Sequence, residues 1–334
     1  MVECLGRRGN GLSLSGSGAC GQTGRPNSPS KANLMTTISQ PIIILGFHRS
    51  GTTLLGNLFR EHPDVAYWVE PRHVWMHHFI YRRLDVLSAA AATSRVIRQI
   101  HRDFSAFLRE SGRSRFAEKT PSNMVRLPFI RAVFPDAKVI HIIRDGRAAT
   151  ASTLRVLSRP PRAEIVRRRL RETPLWHYPA YVRKAWRMLV APRLPGGSIP
   201  VWGPRIAGLE EWRRTLTKEQ VCARQWREVI RIAQRDAASW PADQYREWRY
   251  EDLVTDPVAT CRQMFGFANL HWPEGFDALL RERVHAGSLS KWRGDFTTEQ
   301  LESIMPHLEP LLSELGYGEP DSRASTAAIP ANAA

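Results

Sequence analysis

The sequence has few cysteines, no long apolar run and a deficit of acidic residues. Its cysteines form no Cys-x-x-Cys pair, which indicates neither a zinc site nor a disulfide framework: Cys4, Cys20, Cys222 and Cys261. We therefore expect a reducing, cytoplasmic location. No apolar block has the length of a signal peptide or a membrane span. The 32 Asp and Glu residues face 48 Lys and Arg residues, which leaves a net charge of +16.

The chain is long enough for one large α/β domain. It has 334 residues, of which 43% are hydrophobic, so it can bury a sizeable core. Residues 1–40 are rich in Gly and Ser, and residues 319–334 are rich in Pro, Ala and Ser. Such compositions cannot bury enough apolar surface to fold, so both tails are expected to be disordered. The folded domain is predicted over residues 41–318.

Much of the positive charge is local. Residues 155–214 contain 14 Lys and Arg residues against 4 Asp and Glu residues, together with several Trp and Tyr residues. The segment follows no simple β–α rhythm, so we predict a helical insertion over the C-terminal edge of the sheet, on the side of an acceptor. Basic helices with interfacial Trp could bind an acidic acceptor or contact an anionic membrane surface peripherally. The alternative is a set of packed helices with a solvated charged face.

A phosphate-binding loop is the strongest local motif. Residues 42–55 give an apolar β-branched run, then Gly-x-x-x-x-Gly-Thr-Thr, then apolar residues at helical spacing. This order predicts a buried strand, a tight loop and a helix, whose free N–H groups and positive dipole end suit an anion. In nucleotide triphosphatases a Lys follows the second glycine and the next hydroxyl holds Mg²⁺. Here Thr52 takes the place of that Lys, and Arg49 is the only long cation in the loop.

Three further strand ends carry charged residues. Glu70 follows the short strand predicted over residues 65–69, Lys119 ends the strand before Thr120-Pro121, and Arg144 follows the apolar strand predicted over residues 137–143. Open α/β sheets collect ligand-contacting groups at these positions. Arg144 and Ser152, two helical turns later, could clamp one phosphate from two sides. For Glu70 the alternative is a surface ion pair with Arg72.

Together these motifs resemble the sulfotransferases that use 3′-phosphoadenosine 5′-phosphosulfate (PAPS). The ending of the chain, from Lys291-Trp292 through Leu315-Gly316-Tyr317, most resembles their tyrosylprotein branch. The resemblance covers about residues 41–318 and implies a three-layer P-loop-type α/β fold, with a central parallel sheet and helices on both faces. It implies transfer of a sulfuryl group from PAPS to a hydroxyl, without a metal. It implies Glu70 as base and Arg49 and Lys119 as catalytic cations. The implied PAPS-binding residues are Arg49, Ser50, Gly51, Thr52, Thr53, Arg144, Ser152, Tyr250 and Lys291.

The acceptor is left open by the sequence. Trp68 and Ala117 stand where the tyrosylprotein enzymes have cysteines, so a carbohydrate, lipid or small-molecule hydroxyl is expected rather than a protein tyrosine. Nucleic acid is not an expected partner. Two other classes remain: a small-molecule kinase, which would share the phosphate loop, and a non-enzymatic basic protein that coats nucleic acid or membrane. Neither requires a second Arg and Ser phosphate clamp.

Overall fold

The computed structural model describes residues 38–158, 167, 171, 174–190, 199, 202–285, 289 and 291–318. The tails predicted to be disordered lie outside the described residues, except for residues 38–40. The predicted helical insertion at 155–214 is described in part. Within these ranges, no helix combines the length and the apolar character needed to cross a membrane.

A five-stranded parallel sheet forms the centre of the fold. Its strands, in sheet order β2-β3-β1-β4-β5, are β1 (Ile42–Leu45), β2 (Val65–Val69), β3 (Arg115–Lys119), β4 (Lys138–Ile143) and β5 (Tyr245–Arg249). Every residue of β1 and β4 is buried, as expected of parallel strands covered on both faces. The predicted α/β class with a central parallel sheet is confirmed.

Twelve α-helices surround the sheet in the described part of the chain. They are α1 (Thr52–Glu61), α2 (Arg72–Trp75), α3 (Ser94–Ser111), α4 (Leu127–Val133), α5 (Gly146–Leu157), α6 (Tyr178–Leu189), α7 (Leu209–Thr215), α8 (Lys218–Ala237), α9 (Tyr250–Thr255), α10 (Pro257–Phe267), α11 (Phe276–Arg283) and α12 (Thr298–Glu314). Capping boxes begin α8 at Thr217 and α12 at Thr297. Short 3₁₀ helices include Leu175–His177 and Lys291–Gly294.

Alternate strand residues enter two cores, one on each face of the sheet. Ile43 and Leu45 pack in the core formed with α3, α4, α8 and α12. Ile42 and Ile44 pack in the core formed with α1, α9, α10 and α11. This alternation follows from the two-residue period of a strand, and it gives the predicted three layers.

The end of the predicted insertion belongs to the scaffold. Ile206, Leu209 and Trp212 are buried in the core that contains α8. Arg205 pairs with buried Asp85, its Nη2 atom lying 2.8 Å from Oδ1. Residues 205–214, which include most of α7, therefore pack against the sheet-covering helices as part of the main core.

The order in which successive strands are added to the sheet reverses at β1, although all five strands are parallel. Strands β3 and β2 lie on one side of β1, and β4 and β5 lie on the other. A crevice forms at such a switch point, outside the C-terminal ends of the strands, and open α/β sheets bind their ligands there. The loop after β1 therefore lies between the ends of β3 and β4.

Candidate functional site

The loop between β1 and α1 has the backbone shape of an anion-binding loop. Arg49 and Gly51 both adopt left-handed conformations, with φ values of 71° and 85°. A Cβ atom on Gly51 would lie 2.2 Å from Cδ2 of Tyr250, so no larger residue fits. The Ser50 hydroxyl is buried and has no hydrogen-bond partner among the described residues. An anion held by the loop would satisfy this hydroxyl and the free N–H groups that begin α1.

Arg49, Ser152, Arg144 and Tyr250, four of the residues predicted to bind PAPS, meet at this loop. Arg49 Nε donates to Ser152 Oγ at 3.0 Å, and Arg144 Nη1 donates to the Arg49 carbonyl oxygen at 3.1 Å. The Arg144 guanidinium also lies 4.5 Å from the centre of the Tyr250 ring, a cation–π distance. The guanidinium groups of Arg49 and Arg144 thus lie close together in the crevice.

Glu70 and Lys119 form an ion pair across the ends of β2 and β3. Lys119 Nζ lies 2.9 Å from Glu70 Oε1, and Arg72 Nη2 lies 2.9 Å from Glu70 Oε2. The backbone supports this placement because the Glu70 N–H donates to the Lys119 carbonyl at 3.0 Å. Glu70 has a φ of 51°, a strained value for a non-glycine residue and one often found at functional sites. The predicted base thus pairs with both Arg72 and the predicted catalytic lysine.

The remaining predicted site residues are less closely grouped. Thr52 and Thr53 begin α1, where Thr52 is buried and Thr53 is exposed. Lys291 is exposed at the start of the 3₁₀ helix Lys291–Gly294. That helix packs near α5, where the Arg147 guanidinium lies 4.7 Å from the centre of the Trp292 ring. The role of Lys291 in holding the 3′-phosphate stays a prediction.

The sequence did not single out Glu118, a buried carboxyl next to the predicted catalytic lysine in the chain. Its oxygens accept hydrogen bonds from the Thr120 hydroxyl and the Asn123 amide, both at 2.7 Å. Burial raises the pKa of Glu118 from 4.5 to about 7, although hydrogen bonds to the carboxyl and the Lys119 charge oppose that shift. The Thr120 hydroxyl and the Asn123 amide, both within five residues of Glu118 in the sequence, were the signal that could have indicated a hydrogen-bonded buried carboxyl. Phe116 of the same strand packs in the α8 core and Ala117 in the α1 core, so Glu118 faces away from the side that Lys119 shares with Ala117.

His48, inside the loop, was also not singled out. Its ring is buried, lies 3.8 Å from the Phe47 ring centre and stacks on Trp202 at 5.7 Å. Both ring nitrogens have no hydrogen-bond partner among the described residues. Burial, together with the charges of Arg49 and Arg72, lowers the pKa of His48 to about 3. The imidazole is therefore neutral at pH 7 and adds no charge to the loop.

One group of potential metal ligands occurs among the described residues, and it lies at the other edge of the sheet. His62, Asp64 and His271 cluster near the start of β2. The Asp64 N–H donates to His62 Nδ1 at 3.1 Å, which places the ring proton on Nε2, 2.9 Å from the His271 carbonyl oxygen. Both His62 nitrogens thus form hydrogen bonds within the protein. We interpret the cluster as structural, since it links the start of β2 to the segment that contains His271.

A comparison with protein families gives a match in two parts, which together include every predicted site residue except Lys291. The model of the sulfotransferase family matches residues 41–193 and 205–274. Four of the five strand ends described above carry site residues from the first part of the match, and Tyr250 comes from the second. Within this span only residues 194–204 are unmatched, so most of the predicted insertion aligns with the family model.

Individual relatives are distant. Human carbohydrate sulfotransferase 5 is 25% identical over 284 residues, which cover 75% of this chain and 66% of that protein. Protein-tyrosine sulfotransferase A of Caenorhabditis elegans is 24% identical over 310 residues, covering 83% and 67%. Human carbohydrate sulfotransferase 2 is 26% identical over 209 residues, covering 58% and 37%. The chain thus spans between 37% and 67% of the length of these relatives.

A solved structure is also similar. The sulfotransferase domain from the curacin biosynthetic pathway has 14% sequence identity to this chain and a TM-score of 0.48; the match covers 85% of this chain and all of that domain. The family match, which spans more than half of the chain, confirms the resemblance read from the motifs. The chain belongs to the sulfotransferase family.

Proposed function

We propose that this protein moves the sulfuryl group of PAPS to the hydroxyl of an acceptor. The observation that carries the proposal is the convergence of five strand ends. The loop after β1, Glu70 after β2, Lys119 at the end of β3, Arg144 after β4 and Tyr250 after β5 all lie at the same edge of the sheet. Together the named residues supply an anion-binding loop, the three cations Arg49, Lys119 and Arg144, and the carboxylate of Glu70.

The residues present fit the nucleotide. The loop with Arg49, Ser50, Gly51, Thr52 and Thr53 would hold the 5′-phosphosulfate, since it offers the buried Ser50 hydroxyl and the start of α1. Arg144 and Ser152 would hold the 3′-phosphate, with Lys291 as the third group of the clamp. Tyr250 would contact the adenine, since its ring lies against Gly51 and Arg144.

The reaction needs a proton acceptor and a cation close together. In the proposed step the acceptor oxygen forms a bond to sulfur while the bond from sulfur to the bridging phosphosulfate oxygen breaks. Glu70 takes the acceptor proton, and Lys119 with Arg49 stabilises the negative charge that develops on the bridging oxygen. The 2.9 Å pair of Glu70 and Lys119 holds both groups at one point of the crevice. We propose that these cations supply the charge stabilisation without a metal.

The acceptor class is part of the proposal. Relatives are named as carbohydrate and protein-tyrosine sulfotransferases, so a hydroxyl-bearing acceptor is supported at that level. We propose a carbohydrate, lipid or small-molecule hydroxyl for this chain, acting in the cytoplasm. Trp68, two residues before Glu70, stands at the sequence position where the tyrosylprotein branch has a cysteine, and its ring stacks on Phe107 at 4.4 Å. This departure favours an acceptor other than a protein tyrosine.

An acceptor screen tests the proposal. The full chain is incubated with PAPS carrying labelled sulfur and with representatives of each acceptor class, and Lys119→Met serves as the inactive control. Label transfer to one class by the native chain only is the expected result. Turnover of ATP with Mg²⁺ in place of PAPS would identify a kinase instead. Failure to bind adenosine 3′,5′-bisphosphate at all would overturn the proposal.

A further inference from the structure

Exposed hydrophobic side chains are concentrated in one place. Seven large hydrophobic residues are exposed in the described part of the chain, and five of them fall between Leu175 and Val190. A sixth, Tyr81, donates a hydrogen bond from its hydroxyl to the Trp176 carbonyl oxygen at 3.0 Å. We call this group the apolar ridge; its members are Tyr81, Leu175, Trp176, Val182, Trp186 and Val190. A concentration of exposed apolar side chains of this kind is typical of an interaction site.

Buried residues next to the ridge anchor it to the rest of the protein. His177 is fully buried, and Ala180 at the start of α6 is nearly so. The His77 and Trp176 ring centres lie 5.9 Å apart, and His77 and His177 lie 5.8 Å apart. Val182, Trp186 and Val190 follow at intervals of four residues, so they form one stripe along α6. Beside this stripe Tyr178, Pro179 and Arg183 help to line an open groove of about 540 Å³.

The sequence around the ridge is strongly basic. Residues 159–193 contain ten Lys and Arg residues and two Glu residues. Of these, Arg167, Arg171 and Arg183 are exposed in the structure. Arg183 lines the same groove as Val182 and Trp186. An apolar ridge in a chain segment of this charge matches the chemistry of an anionic lipid surface, where apolar side chains enter the boundary layer and arginines meet the headgroups.

We propose that the apolar ridge docks the protein peripherally on a bilayer that contains anionic phospholipids. A soluble sugar would stack on aromatic faces and would not require exposed Leu175, Val182 and Val190. A second copy of the chain would bring two strongly basic segments together at a cost in electrostatic repulsion. A lipid surface uses the aliphatic side chains, the tryptophans and the arginines together.

The position of the ridge also suits the proposed site. His77, whose ring centre lies 5.9 Å from that of Trp176, follows α2, and α2 begins two residues after Glu70. Docking at the ridge would thus bring the chain that follows Glu70 toward the lipid surface. The docking itself does not depend on sulfuryl transfer, so it is measured without PAPS.

Vesicle sedimentation tests the docking. The full chain is mixed with vesicles of phosphatidylcholine alone or of phosphatidylcholine with phosphatidylglycerol. The ridge variant combines Trp176→Ser, Val182→Ser and Trp186→Ser, and its control is Leu84→Ser, an exposed leucine outside the ridge. The charge variant combines Arg167→Glu, Arg171→Glu and Arg183→Glu, and its control reverses exposed Arg109, Arg281 and Arg283. Circular dichroism checks folding, and the single Trp186→Ser variant serves if the triple variant unfolds.

The native chain should bind only the anionic vesicles. The charge variant should lose roughly 100-fold or more in partition coefficient, since each cation near such a surface contributes to binding. The ridge variant should lose at least about 10-fold, while both controls bind as the native chain does. Absence of binding by the native chain would overturn the proposal, as would a ridge variant or charge variant that binds no more weakly than its control. Self-association or binding of soluble oligosaccharides through the ridge, without vesicle binding, would overturn it as well.

Discussion

Arg49 and Ser152 are joined by a hydrogen bond of 3.0 Å from Nε to Oγ, although 103 residues separate them in the chain. Arg49 belongs to the loop proposed to hold the 5′-phosphosulfate, and Ser152 belongs to the helix proposed to hold the 3′-phosphate. Arg144 joins the same two elements through the Arg49 carbonyl oxygen. The two halves of the proposed nucleotide site therefore support each other, and a change in one should be felt in the other.

Replacing Arg144 by Ala should weaken nucleotide binding. A charged, bidentate contact to phosphate is lost, and hydrogen bonds to charged groups contribute about 1.5–3 kcal/mol. Calorimetry with adenosine 3′,5′-bisphosphate measures the change. Arg144→Lys keeps the charge but not the planar guanidinium, so its affinity for the bisphosphate should lie between those of the native protein and Arg144→Ala.

AMP, which lacks the 3′-phosphate, separates this role from a structural one. The native protein should prefer the bisphosphate strongly, and Arg144→Ala should lose most of that preference. If the variant weakened both ligands equally, Arg144 would act by holding the Arg49 carbonyl and not by binding the 3′-phosphate.

Replacing Glu70 by Gln should separate the base from the binding residues. The amide keeps the size of the side chain but accepts no proton, so kcat should fall by roughly 10²–10⁴. Affinity for adenosine 3′,5′-bisphosphate should change little. The control is Glu110→Gln, an exposed glutamate at the end of α3. A Glu70→Gln variant that keeps near-native kcat would show that Glu70 serves only in its ion pairs with Lys119 and Arg72.

Replacing Gly51 by Ala should abolish nucleotide binding. The φ of 85° strains any side chain, and the new Cβ would lie 2.2 Å from the Tyr250 ring. Gly112→Ala is the matched control, since Gly112 has a φ of 66° but open space around it. The control should lose about 1–2 kcal/mol of unfolding free energy, the cost of the left-handed conformation. Urea denaturation should show a larger loss of unfolding free energy for Gly51→Ala than for Gly112→Ala. Equal losses would mean that the Tyr250 ring moves aside freely.

The sequence predicted where the site lies because parallel strands end at one edge. The apolar runs before the loop, Glu70 and Arg144 locate three strand ends, and parallel pairing brings these ends together. One strand end differs from the others: β5 ends at Arg249, and Tyr250 already begins α9. The acidic residues Glu251 and Asp252 in the first turn favour a helix start there.

Contacts between distant segments could not be predicted in the same way. The burial of His48 depends on Trp202, which stacks on it from more than 150 residues away in the chain. The ion pair between Glu70 and Lys119 depends on the register of β2 and β3, in which Val69 lies opposite Lys119. A single sequence shows which residues end each strand, but not which side chains meet after the strands have paired.

Glu118 makes protein stability depend on pH. Because burial raises its pKa from 4.5 to about 7, the folded protein keeps a proton that the unfolded chain has released between these values. The unfolded state then binds fewer protons, so the free energy of unfolding should fall as pH rises through this window and level off above it. Below pH 4.5 both states hold the proton, and Glu118 contributes no pH dependence.

The Glu118→Gln variant should remove this dependence without disturbing the fold. A glutamine amide can donate to the Thr120 hydroxyl and accept from the Asn123 amide, the two partners that lie 2.7 Å from the carboxyl oxygens. At about pH 8 the variant should exceed the native protein in unfolding free energy by roughly 3 kcal/mol, the energy equivalent of the difference between 4.5 and 7. Near pH 4.5 the variant and the native protein should have equal unfolding free energies. Urea denaturation across the window measures both curves, and parallel curves would show that the Glu118 carboxyl stays ionised in the folded protein.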